Sequence, residues 1–187
     1  HSSIPVSITP LALKNLSSFY NNDGKDGSNQ FIYSRFLVPF LSNYQGWSLF
    51  CDGDMILRSD IKELWDMRDD SKAVMVVKHN YKTKMEEKYL GSKNENYPRK
   101  NWSSFVLWNC GHPANKAVDE KFFNSASGLE LHRFTWLNDD EIGELPVEWN
   151  WLVGDYIDPP NNVKNVHWTN GGPYFNEYRE CDFSEEW

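Results

Sequence analysis

The feature that most constrains the fold is an apolar run that stops at two carboxylates. Trp47-Ser-Leu-Phe-Cys51 reads as a buried strand, and Asp52-Gly53-Asp54 follows it directly. A strand ending this way presents both acids at the edge of a sheet. In open α/β sheets, ligands bind beyond the carboxyl ends of the strands. Two hard oxygen ligands there suit Mn²⁺ or Mg²⁺, and such a cation can hold a diphosphate. The Asp-x-Asp pattern alone is expected about once by chance in a chain of this length. As a plain alternative, the two acids terminate a strand and cap a turn.

The rest of the chain alternates strand and helix patterns. Ile4-Pro-Val-Ser-Ile8 reads as a short strand, and Asn21–Asn29 as a polar, Gly-rich loop. Phe31–Tyr44 has helical spacing, with Phe36, Leu37, Phe40 and Leu41 on one side and a break at Pro39. Ser59–Trp65 opens a helix, with Ser59 as cap and Asp60 at the positive end of the dipole. Ala73–His79 is a continuous apolar strand, as in a sheet covered on both faces. Tyr81–Lys100 reads as a long polar loop or partial helix. Phe105–Asn109 is a strand, Asn115–Phe123 and Leu129–Arg133 are helical, and Asn165–Thr169 is a last strand. Strands separated by helices predict one α/β domain over residues 1–187, a mixed sheet flanked by helices.

Composition narrows the partners. The 187 residues carry a formal charge of −8, which argues against nucleic acid or an anionic membrane as the main partner. The 9 Trp, 9 Tyr and 11 Phe supply rings that can stack on the apolar faces of sugars, although core packing is the plainer use. Cys51, Cys110 and Cys181 form neither a disulfide framework nor a zinc pattern, so buried thiols in a reducing compartment are expected. No apolar stretch approaches about 18 residues, the length that spans a bilayer. With no signal peptide visible, a cytoplasmic location is expected.

Three further segments could carry chemistry. His167 sits in a strand and leads into Asn170-Gly171-Gly172. A neutral imidazole can complete a metal shell begun by carboxylates, and successive glycines let backbone N–H groups approach phosphate. Tyr97-Pro-Arg-Lys-Asn-Trp-Ser-Ser104 places Arg99 and Lys100 where they could neutralise a phosphate or carboxylate. Trp136-Leu-Asn-Asp-Asp-Glu-Ile-Gly143, followed by Leu145–Asn150, is a helix start or an active-site loop. A carboxylate there could stabilise positive charge developing on a sugar ring.

Taken in order, these motifs resemble the retaining, metal-dependent glycosyltransferases of GT-A fold, close to glycosyltransferase family 8. The segments that carry the resemblance are Tyr33–Pro39, Leu49–Met55, Tyr97–Asn109, Trp136–Asn150 and His167–Pro173. The resemblance implies a GT-A-like, Rossmann-like domain, compact or truncated at its N-terminus, because relatives begin with a strand and helix that precede anything here. It implies transfer of a sugar from a nucleotide-sugar donor, a UDP-sugar, to a carbohydrate or other hydroxyl acceptor with retained configuration. Asp52, Asp54 and His167 match the ligands of a Mn²⁺ that bridges the donor diphosphate. Arg35 matches the family's helix arginine near the donor. Asn101 and Ser103 fall where relatives hold sugar hydroxyls. Asp139 or Asp140 matches the acid or amide facing the anomeric carbon. Asn170, Gly171 and Gly172 match a phosphate-contacting turn. Relatives also place a lysine shortly after the metal-binding histidine, where this chain has Pro173, so Arg99 or Lys100 is expected to take over that charge.

Two other readings fit the same residues. A non-catalytic glycan-binding module or inactive transferase relative would use the tryptophans without metal or nucleotide. A metal-dependent phosphohydrolase would use Asp52, Asp54 and His167 on a phosphate ester.

Overall fold

The computed structural model describes residues 2–12, 15–16, 30–80 and 97–187. The expected loop Asn21–Asn29, and all of the expected Tyr81–Lys100 loop except 97–100, lie outside these residues. A four-stranded sheet holds the centre. Its strands are β1 (Trp47–Cys51), β3 (Val74–Val77), β4 (Phe105–Asn109) and β5 (Ile142–Leu145), in the spatial order β1-β4-β3-β5. β4 runs antiparallel to both neighbours, while β3 and β5 are parallel. Thus β1, β3 and β5 all point the same way. Their carboxyl ends, Cys51, Val77 and Leu145, form one edge together with the start of β4.

The sheet is apolar on both faces, as the unbroken run at residues 73–77 predicts. Strand side chains alternate between faces. Val74, Val76, Val106 and Trp108 pack on one side with Phe36, Phe123 and Phe134. Met75, Val77, Phe105 and Leu107 pack on the other with Ile61, Leu64 and Trp149. Each fully buried large apolar side chain contributes about 1.5–3 kcal/mol relative to exposure.

A second, smaller sheet contains β2 (Met55–Leu57), β6 (Trp151–Leu152) and β7 (Asn165–His167), in the order β2-β7-β6. The chain leaves the first sheet at Cys51, makes the Asp52-Gly53-Asp54 turn, and enters the second at Met55. Met55 pairs with His167 across β2 and β7.

The helices are short. Gln30–Leu37 is a 3₁₀ segment that becomes α1 (Val38–Leu41) where Pro39 enters the first turn, so the expected break falls there. α2 (Ile61–Trp65) is capped by Asp60, whose carboxylate accepts the Lys62 N–H at 3.0 Å, rather than by Ser59. The expected helix 115–123 is instead a 3₁₀ turn, Pro113–Ala117, and α3 (Glu120–Ser125), which starts afresh from an Asp119 cap. α4 (Gly128–His132) carries a capping box between Ser127 and Glu130.

Ile4–Ile8 does not form the expected strand. Pro5 and the nearby Pro10 lack the N–H that a ladder needs. Only Ile4 packs on the α2 side of the core, while Val6 and Ile8 face solvent. Among the described residues, no helix is long and apolar enough to cross a membrane.

Candidate active site

The Asp52-Gly-Asp54 turn lies where the two sheets meet, and backbone hydrogen bonds hold it from both sides. The Asp52 N–H donates to Ser104 O at 3.1 Å, tying the turn to the start of β4. The Trp168 N–H donates to Asp54 O at 3.1 Å, tying it to the end of β7. The register of Met55 with His167 then brings the imidazole to the carboxylates. His167 Nε2 stands 3.4 Å from Asp54 Oδ1. One ligand atom from each of Asp52, Asp54 and His167 lies within 4.8 Å of the other two. Two carboxylate oxygens and an imidazole nitrogen form a donor set suited to a divalent first-row cation, so this cluster is a possible metal site.

Each member has its own support. Arg35, at the end of the 3₁₀ segment, grips Asp52 with two bonds: Nη2 to Oδ1 at 2.7 Å and Nη1 to Oδ2 at 3.1 Å. Its Nη1 also donates to Ser103 O at 3.0 Å. Burial pushes the Asp52 carboxyl above its ordinary range, Asp54 adds to the rise, and Arg35 and His167 oppose it. For Asp54, burial also raises the pKa, but the combined pull of His167, a backbone hydrogen bond and Arg35 leaves it lowered.

Behind His167 runs a buried polar chain. Asn150 Oδ1 lies 3.0 Å from His167 Nδ1. Asn150 Nδ2 donates to Ser104 Oγ at 2.9 Å and lies 3.0 Å from His79 Nε2. His79 Nδ1 lies 2.7 Å from the Tyr156 hydroxyl. Burial, with His167 adding a smaller effect, lowers the His79 pKa to about 3. Asn150 closes a segment that carries the family resemblance and His79 ends an expected strand, but the motif reading gives neither a role. Their signal is positional: His79 follows the carboxyl end of β3, as Asp52 follows that of β1, and Asn150 closes the segment after β5.

The other expected site residues have varied settings. Arg99 reaches Arg133 O and Phe134 O and pairs with Asp139, whose own carboxylate is 89% exposed. Asp140 is exposed, and its carbonyl accepts the Lys72 ammonium at 2.8 Å. Asp139–Glu141 forms a 3₁₀ turn with a capping box from Asn138, the helix-start alternative for this segment. Lys100 is buried, and its ammonium lies 5.9 Å from the Tyr97 ring centroid. Asn101 adopts a left-handed backbone, φ 61°, just before the Trp102–Ser104 3₁₀ turn. Ser103 Oγ lies 2.7 Å from His132 Nδ1. Asn170, Gly171 and Gly172 are buried, and the Gly171 N–H already donates to Trp168 O at 2.9 Å.

The sequence matches the family model described as Glycosyl transferase family 8 over residues 7–112. The chain belongs to glycosyl transferase family 8. Protein CDI of Arabidopsis thaliana is 46% identical over 193 residues, an alignment covering 100% of this chain and 74% of that protein. Two solved transferases share the fold at low identity. The WbbM bifunctional glycosyltransferase, in its apo form, superposes with a TM-score of 0.60 at 18% identity over 86% of this chain. Apo GlyE of Streptococcus pneumoniae TIGR4 gives 0.57 at 15% identity, also over 86%. The chain spans 35% and 42% of the lengths of those two proteins. The family-8 and GT-A resemblance implied by the motifs therefore holds, and the mixed α/β sheet is the GT-A architecture. Arg35, Asp52, Asp54 and the Arg99–Ser103 stretch fall inside the family match, whereas Asp139, Asp140, His167 and the Asn170–Gly172 turn lie beyond it.

Proposed function

We propose that this family 8 glycosyltransferase transfers a sugar from a nucleotide-sugar donor, a UDP-sugar, to a carbohydrate or other hydroxyl acceptor, with retention and with a divalent cation, Mn²⁺ or Mg²⁺. The observation that supports this reading best is the convergence of Asp52, Asp54 and His167, from segments far apart in sequence, on one cluster of ligand atoms within 4.8 Å. A turn that only capped a strand would not need a buried histidine brought to it from another sheet.

The electrostatic case is direct. A diphosphate about 4 Å from a carboxylate costs about 4 kcal/mol per charge pair at an effective dielectric of 20. A cation bound by Asp52, Asp54 and His167 would reverse that sign and stabilise the diphosphate as it leaves. Arg35 fixes the orientation of Asp52. In this reading Lys100 and Arg99 offset donor charge in place of a lysine at Pro173. Asn101 and Ser103 hold donor hydroxyls, and Asn170, Gly171 and Gly172 line the diphosphate. Asp139 or Asp140 faces the anomeric carbon and stabilises its positive charge.

A thermal-shift screen of nucleotide sugars, with and without Mn²⁺, tests metal, base and sugar together. Ligands that bind the native state raise the melting temperature by mass action. The expected pattern is a shift for a UDP-sugar only when Mn²⁺ is present. A shift with free oligosaccharide in EDTA, and none with any nucleotide, would support a glycan-binding module instead.

A further inference from the structure

We propose that Asn150 is a positioning residue that holds a proton on Nδ1 of His167, so that Nε2 is the nitrogen left to take a cation together with Asp52 and Asp54. The inference rests on the reading of Asp52, Asp54 and His167 as metal ligands and adds what prepares the third of them.

The argument begins at a backbone carbonyl. The Ser104 hydroxyl donates its single proton to Asn101 O at 2.8 Å. Toward Asn150, 2.9 Å away, Ser104 Oγ can therefore only accept. The group facing it must be the Asn150 amide nitrogen, not its oxygen. That choice fixes the whole side chain. The second amide proton points at His79 Nε2, 3.0 Å away, so that nitrogen is the acceptor. His79 then carries its proton on Nδ1, directed at the Tyr156 oxygen 2.7 Å away. Asn150 Oδ1 is left to face His167 Nδ1 at 3.0 Å, and an amide oxygen requires a proton there. Nε2 is then the nitrogen from which a proton can be given up to a cation.

Two observations agree. Asn150, fully buried, satisfies both donors and its oxygen in this arrangement. His167 Nε2 is the ring nitrogen turned toward the carboxylates, 3.4 Å from Asp54 Oδ1. Turning the amide over would set its oxygen against the Ser104 lone pairs, unless Ser104 gave up Asn101 O. It would also put the His167 proton on Nε2, where it blocks a cation. Residues that orient a ligating histidine in this way typically matter 10- to 100-fold, on the order of that range, in metal affinity.

The test uses the whole chain without nucleotide. Imidazole ¹⁵N shifts of His167 in EDTA report which nitrogen is protonated, and calorimetry reports Mn²⁺ affinity. Wild type, read at a pH high enough to leave the ring neutral, should carry its single proton on Nδ1. Asn150→Leu should lose that preference and bind Mn²⁺ about 10- to 100-fold more weakly. Asn150→Asp keeps an oxygen acceptor for the Nδ1 proton, while Ser104 turns its hydroxyl and His79 its proton toward the second oxygen; the His167 proton should stay on Nδ1 and the affinity should hold to within a few-fold, which separates positioning from packing. A neutral wild-type His167 that carries its proton on Nε2 overturns the inference. So does a folded Asn150→Leu with undiminished Mn²⁺ affinity, or an Asn150→Asp whose proton moves to Nε2. A bare Nε2 in a wild type that binds no Mn²⁺ supports the tautomer assignment while removing the ligand reading.

Discussion

Arg35 and Asp52 form a two-point clamp at the edge of the central sheet, with Nη2–Oδ1 at 2.7 Å and Nη1–Oδ2 at 3.1 Å. The arginine side chain is 7% exposed and the aspartate 14%. A pair this enclosed is costly to break from one side, because the remaining charge stays buried. Arg35→Met is expected to destabilise the metal-free protein by about 3 kcal/mol in denaturant unfolding. In the proposed site, added Mn²⁺ would offset part of that loss by neutralising the stranded carboxylate. The variant should therefore gain more stability from Mn²⁺ than wild type does. An unchanged unfolding midpoint would show that the clamp contributes nothing.

His79 gives the fold a defined acid sensitivity. Its folded pKa is about 3, held down chiefly by burial, against about 6.5 in an unfolded chain. Above pH 6.5 both states leave the ring neutral, and its contribution is fully present. As pH falls from 6.5 toward 3, only the unfolded state takes up the proton, so stability falls by up to about 1.4 kcal/mol per pH unit for this group. The difference in unfolding free energy between wild type and His79→Gln should narrow as pH drops from 7 to 5. A constant difference over that range would contradict the assignment.

Asp139 and Asp140 can be separated. Asp139 pairs with Arg99 yet is 89% exposed, so Asp139→Asn should change stability by less than about 1 kcal/mol. Among the described residues, no ion pair or side-chain hydrogen bond engages the Asp140 carboxylate. The proposed role at the anomeric carbon then falls more readily to Asp140. Sugar transfer should drop further in Asp140→Asn than in Asp139→Asn, with both melting temperatures near wild type. The reverse ranking would move the role to Asp139.

Gly171 has φ 126°, a backbone region that side chains rarely enter. A Cβ there would also sit 2.6 Å from the Tyr178 ring. Gly171→Ala should cost about 1–3 kcal/mol, read as a lowered melting temperature. At Gly172 the closest atom is Tyr174 Cε1, also at 2.6 Å, on a ring that is 42% exposed and can move. The buried Trp168 lies farther off, at 3.0 Å. Gly172→Ala should therefore be the milder change. Equal losses would indicate that Tyr174 is held as firmly as Tyr178.

Much of this architecture is legible in sequence, for physical reasons. β1 and β4 match their expected runs residue for residue, but only β4 is buried along its whole length; β1 is an edge strand, half-buried, that contains Ser48 and ends at the exposed Cys51. The Asp-x-Asp turn and His167 are legible because polar residues at strand ends are conspicuous against such runs. β2 and β6, three and two residues long, leave no periodic pattern to detect. Ile4–Ile8 has the right composition, but Pro5 cannot donate to a ladder. Asp60 takes the cap from Ser59 by a one-residue shift that composition does not decide. Arg99 looks in sequence like a free basic residue, but its pairing with Asp139 depends on how distant loops pack. The Ser104–Asn150–His79 chain was hidden for the same reason. It is built from residues on three segments that only the fold brings together.

Calorimetric titration of UDP into the wild-type chain and into Asp54→Ala, each with and without Mn²⁺, tests the central claim most directly. The account predicts binding to wild type that requires Mn²⁺ and its loss in Asp54→Ala. UDP binding that is the same with and without Mn²⁺, and unchanged in Asp54→Ala, would contradict it.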